Sequence, residues 1–136
     1  MQPRTIVYGV LMLGSVLGVS IAGAQNAPRD NKGYTTTKAT FVDLRPEIEG
    51  MAGRQLRLRV LKIEPGGHIG LHSHEDRPSV VYFMQGTDTV IREDGSSQTF
   101  RAGDVTAEPS STVHWHRNDG NDTIILVAAD ILKVQN

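Results

Sequence analysis

From about residue 38 onward, apolar side chains alternate with polar ones at a period of two, and turn-forming sequences cut the run every 8–12 residues. This rhythm constrains the chain more than any other feature, because strand side chains alternate between two faces whereas helical faces repeat every 3.6 residues. Leu56, Leu58 and Val60 alternate with Arg57 and Arg59, as in a strand that buries one face. Ser79 to Met84 is a denser apolar run, suited to a strand deeper in a sheet. Asp88 to Arg92 and Gln98 to Arg101 flank Asp94-Gly95-Ser96-Ser97 and read as a hairpin. Thr123 to Leu132 opens with three branched residues in succession, which favours a strand over a helix. Further turns are expected at residues 64–67, 76–78, 85–87, 102–104, 109–111 and 118–121. The expectation is one all-β sandwich or barrel over residues 38–136.

The 136 residues carry 14 Lys+Arg and 15 Asp+Glu, a formal charge of -1, which gives no electrostatic case for a nucleic-acid partner. There is no cysteine, so disulfides, thiolate metal sites, a cysteine nucleophile and a lipid anchor on Cys are excluded. Any chemistry must come from His, carboxylates, hydroxyls or a bound ion.

Residues 1–24 have the layout of a secretory signal. A short start bearing Arg4 precedes the uncharged run Ile6 to Ile21, and Ala22-Gly23-Ala24 supplies small residues for a peptidase. The rival reading is an uncleaved anchor; the run is short for a membrane span and is interrupted by Gly9, Gly14, Ser15 and Gly18. Cleavage after Ala24 is the expectation, giving a periplasmic or secreted protein with no membrane contact after cleavage. Residues 25–37 are polar and are expected to form a flexible lead-in.

All five histidines fall in two short segments: His68, His72 and His74, then His114 and His116. Residues two apart on a strand share a face, so each His-x-His pair projects two imidazoles to one side. Neutral imidazole suits divalent transition metals, and metal binding is the favoured reading over surface or hydrogen-bonding histidines.

The wider spacing resembles the cupin superfamily. Its first motif, G-x5-H-x-H-x(3,4)-E-x6-G, is matched by Gly66, His72, His74 and Gly86, with Ser79 at the glutamate position. Its second, G-x5-P-x-G-x2-H-x3-N, is matched by Gly103, Pro109, His114 and Asn118, with Ser111 at the second glycine. Eight of the ten fixed positions agree, in order. The resemblance implies a single-domain jelly-roll β-barrel, with His72, His74 and His114 as ligands to one internal metal. Sheet-edge pairing into a homodimer is a further expectation by resemblance.

Ser79 departs from the pattern, and its hydroxyl is a poor ligand at neutral pH. Three neutral imidazoles leave a divalent site at +2, where a glutamate would lower it to +1. Glu75 adjoins His74 and should face the opposite side, unless the strand ends there. His116 shares the parity of His114 and is a candidate fourth ligand or acid/base group. His68 is expected at the rim. Arg77 is a candidate to bind a substrate carboxylate, weighed against a solvated loop arginine. By parity, Ser79, Val81 and Phe83 face inward and are expected to line the substrate pocket, while Trp115 faces away from the metal. Glu108 is read as a solvated turn carboxylate in preference to an acid/base group. Gly66, Gly86 and Gly103 have turn roles.

These readings predict an exported cupin binding Fe, Mn, Ni, Cu or Zn through three histidines, with a small-molecule substrate and dioxygenase-like or related chemistry. The alternative is a non-catalytic periplasmic barrel that binds a metal or small ligand.

Overall fold

The computed structural model describes residues 27–134; the expected signal segment, residues 1–24, lies outside them. Eight strands follow one another: β1 (Lys32–Asp43), β2 (Arg54–Ser73), β3 (Ser79–Gln85), β4 (Thr87–Arg92), β5 (Ser97–Arg101), β6 (Val105–Glu108), β7 (Val113–Arg117) and β8 (Ile124–Lys133). All pairings are antiparallel, in the order β5-β4-β7-β2-β8-β3-β6, with β1 also on β2. The expected hairpin is β4–β5, joined around Gly95.

The 20-residue β2 builds the barrel by belonging to both of its walls. Its first half, Arg54 to Ile63, pairs with β8 and β1, whereas His68 to Ser73 pairs with β7. The sequence Glu64-Pro65-Gly66-Gly67, expected as a turn, is instead a bend within this strand. Gly66 has a φ of 71°, and a Cβ on Gly67 would stand 2.6 Å from the Lys32 carbonyl oxygen, so the bend needs both glycines. Asn118, just after β7, seals it: its Nδ2 donates to the Ile63 and Asp122 carbonyls, and its Oδ1 accepts from Gly120 N–H.

The expected lead-in needs correction. Residues 32–37, assigned to a flexible lead-in, belong to β1 and pair with β2. Threonine-rich polar sequence does not by itself oppose a strand, and an edge strand can leave one ladder side and most side chains in solvent. The inward face of β2 is the one that carries the arginines. Leu56 and Leu58 are exposed at 42% and 43%, while Arg57 and Arg59 point into the barrel. Alternation finds the period but not the sign of the buried face, and here the interior positions are charged.

The barrel interior changes character along its length. Ile63, Ile124, Leu61, Leu126, Phe83 and Phe100 form an apolar floor, with Phe83 stacked on Phe100 at a centroid separation of 4.7 Å. The row above contains Arg59, Ala128, Val81 and Thr106, cross-strand partners in that order. The next contains Arg57, Asp130, Ser79 and Glu108. The apolar rows stabilise the barrel by burial, and the polar rows supply its chemistry.

Candidate metal centre and substrate cavity

His72 and His114 are directly opposite each other on β2 and β7. His74 lies just beyond the end of β2, and its N–H donates to the Thr112 carbonyl at 2.9 Å, which anchors this residue beside β7. The three expected ligands therefore come together. The Nε2 atoms of His74 and His114 are 3.0 Å apart, and those of His114 and His72 are 3.2 Å apart. Cis nitrogens on an ion at ordinary metal–nitrogen distances of about 2.1 Å lie ~3.0 Å apart at a right angle, so the cluster fits a transition ion.

The tautomers point the same way. His72 Nδ1–H donates to the Gly70 carbonyl at 2.8 Å, and His74 Nδ1–H to the Arg77 carbonyl at 3.0 Å. Both neutral rings thereby aim an Nε2 lone pair at His114. His114 has only one Nε2–H to offer, so it can satisfy one of those lone pairs and not both. A cation satisfies all three nitrogens at once.

The carboxylate absent at position 79 arrives from the neighbouring strand. Glu108 on β6 is the register partner of Ser79, is 5% exposed, and accepts a short hydrogen bond from the Ser79 hydroxyl. Its oxygens lie 3.4 Å from His74 Nε2 and 3.7 Å from His114 Nε2. The solvated-turn reading of Glu108 is thus overturned. The proline after it suggested a loop, and sequence spacing carries no information about which residue of another strand lies opposite Ser79. Glu75, by contrast, is exposed and uses its backbone N–H on Ser73 Oγ.

His116 is buried beside His114, at a ring separation of 4.7 Å. Its Nδ1 lies 2.7 Å from Asp88 Oδ2 on β4, and Asp88 is fully buried. Burial opposes charge on His116, but the charge of Asp88 and its hydrogen bond outweigh it and raise the pKa. Burial has the opposite outcome on the ligand candidates. It pushes His72 down to about 4 and, with the neighbouring imidazoles, His114 down to about 2. Both stay neutral, as metal ligands must.

These shifts carry a sign for stability. His72 and His114 titrate lower in the folded chain than the 6.5 of an unperturbed imidazole, so their contribution is full above that pH and is lost as pH falls toward 4. The metal-free protein is expected to lose thermal stability across that window, measured by calorimetry, with a shallower fall in His72→Gln. An equal pH slope in wild type and variant would contradict this assignment.

A cavity of about 420 Å³ opens onto the centre and is lined by His72, His74, His116, Glu108, Ser79 and Val81 among others. Phe83 does not reach its wall; it lies one row deeper, in the floor against Phe100, because parity sets direction but not depth. Arg77 does line the cavity, with Nη1 3.4 Å from Asp130 Oδ2. His68 is absent from the lining and sits 3.4 Å from Asp30. Trp115 is buried among the strands, with the Arg117 guanidinium 5.6 Å from its ring centroid.

A family model described as a cupin domain matches residues 59–130, more than half of the chain. The chain belongs to the cupin superfamily. It is 31% identical over 84 residues to a Thermotoga maritima protein named as oxalate-binding, covering 62% of this chain and 69% of that one. The crystal structure of a predicted oxalate decarboxylase from Thermotoga maritima superposes with a TM-score of 0.53 at 23% identity, over 79% of this chain and 94% of that one. The Schizosaccharomyces pombe Cnp3 cupin domain gives 0.54 at 12% identity, over 73% of this chain; the chain spans 64% of that domain. The two structural likenesses establish the fold, a cupin-type jelly-roll barrel, and the resemblance stated from the motifs holds.

Proposed function

We propose that this cupin is a metal-dependent small-molecule protein in which His72, His74 and His114, joined by Glu108, hold one divalent transition ion. The observation that carries this reading is the convergence of three Nε2 atoms within 3.0 and 3.2 Å contacts at the edge of a cavity. Iron, manganese, nickel, copper and zinc all accept such a donor set; when bound, the ion supplies Lewis-acid or redox chemistry. The chain's own residues prepare the rest. Gly70 and Arg77 carbonyls fix the two tautomers, Ser79 orients Glu108, and Asp88 holds His116 toward its protonated form at the cavity wall. A buried imidazole that can give and take a proton beside the ligand cluster favours enzymatic turnover, of dioxygenase-like or related type. The second reading, non-catalytic binding, is favoured by the name of the Thermotoga maritima relative.

Export to the periplasm or beyond belongs to the same proposal, supported by the uncharged run Ile6 to Ile21 and the small residues at 22–24. So does a homodimer, supported by the exposed Val80, Tyr82 and Val105 on the outside of β3 and β6.

The test is metal content by plasma mass spectrometry on residues 25–136 purified without an affinity tag, followed by oxygen-consumption and substrate screens. Near-stoichiometric transition metal is expected. Failure to retain any ion after reconstitution with each of the five metals would overturn the reading.

A further inference from the structure

The interior of β2 contains a charge imbalance that the metal centre does not explain. Arg57 and Arg59 point into the barrel, and Arg77 joins them from the loop after His74. All three converge on one carboxylate, Asp130 of β8, whose side chain is fully buried. Arg57 donates Nε–H to Oδ1 at 3.0 Å and Nη2–H to Oδ2 at 2.8 Å; Arg59 donates Nη2–H to Oδ2 at 3.0 Å; Arg77 Nη1 is 3.4 Å from Oδ2. The guanidinium side chains are only 25%, 14% and 23% exposed. Three guanidiniums thus share one carboxylate, and Glu108 is the only carboxylate residue in the cavity lining among the described residues. Unbalanced charge taken out of water is costly unless something pairs it.

Two further details show where the balancing group would sit. Arg59 Nε is buried without a hydrogen-bond partner. The cross-strand partners of Arg59 are Ala128 and Ala39, and Val81 stands beyond Ala128, so small side chains leave room next to the guanidinium. Strand β2 also leaves Leu56 and Leu58 in solvent to place these arginines inside, a reversal of the usual burial preference.

We propose that Arg57, Arg59 and Arg77, held in place by Asp130, form a carboxylate-binding subsite for a small organic acid inside the barrel. Planar guanidiniums match a carboxylate through paired N–H donors, and Asp130 fixes their orientation before the ligand arrives. The inference deepens the small-molecule reading given above but does not need the metal, since its donors are all on the chain. Because His74 Nδ1 reports to the Arg77 carbonyl and Ser79 is the register partner of Asp130, the subsite adjoins the histidine cluster.

The test uses malonate and oxalate as probes, with uncharged malonamide as control, in calorimetric titrations. One sample of the whole protein is stripped with phenanthroline, an uncharged chelator, and dialysed; another is metal-loaded. Malonate or oxalate is expected to bind the stripped protein and malonamide is not. Arg59→Gln should weaken that binding about 10–100-fold, the loss of charge-assisted hydrogen bonds, with the thermal transition and metal content retained. Arg59→Lys, which keeps charge but loses the paired donors, should fall between. Anions that bind a protein retaining no metal would leave this subsite standing and the metal reading refuted. Failure of both anions to bind stripped and loaded wild type, or undiminished affinity in folded Arg59→Gln and Arg57→Gln, would overturn the subsite.

Discussion

His114→Ala is expected to lower transition-metal affinity at least ~100-fold. Structural zinc sites draw roughly 10–16 kcal/mol from about four ligands, so one ligand accounts for several kcal/mol. His114 is the shared member of the cluster: its Nε2 contacts both His74 Nε2 at 3.0 Å and His72 Nε2 at 3.2 Å. Competition against a chromophoric chelator measures the loss directly. His114 is buried, so its removal also leaves a cavity. His72→Ala, at a half-buried site, provides the same test with less damage to the fold. Wild-type affinity in both folded variants would exclude a site centred on these rings.

The second large effect concerns the carboxylate. Glu108→Gln is expected to weaken divalent-ion binding by one to two orders of magnitude (about 10–100-fold), because the site loses its negative charge while Ser79 keeps a hydrogen-bond acceptor. The decisive variant exchanges the two residues, Ser79→Glu with Glu108→Ser. Directly opposed residues in an antiparallel ladder have Cβ atoms about 5 Å apart, within the reach of a glutamate side chain. The exchanged chain is therefore expected to recover most of the affinity lost in Glu108→Ser alone. A shifted absorption spectrum of the Co(II) form would report the altered ligand set independently of activity. If Glu108→Gln binds as wild type, Glu108 is a hydrogen-bonding partner of Ser79 and not a ligand.

How the site was legible follows from these residues. The spacing of His72, His74 and His114 survives in any single sequence, because two of them lie within one local segment and the third lies in a segment of similar rhythm. Glu108 had no such signature. Its role rests on the pairing of β3 with β6, and register is a long-range property. Asp88 was likewise invisible as the partner of His116, since β4 and β7 meet only in the folded sheet. The inward arginines were not legible, because alternation of Leu56, Arg57, Leu58 and Arg59 is the same string whichever face is buried. A signal existed in Asp130, an acidic residue inside an otherwise apolar segment, but only the ladder places it opposite Arg57.

By itself, then, the sequence determined the all-β class, the hairpin of β4 and β5, the paired imidazoles and the family, because these follow from local periodicity, turn chemistry and short-range spacing. The tertiary structure alone decided that β1 begins at Lys32, that β2 bends through Glu64–Gly67 to serve both walls, and that charge rather than leucine lines one end of the barrel. Those outcomes depend on which strands become neighbours and in what register, a choice made by the packing of the whole barrel and not by any segment of it.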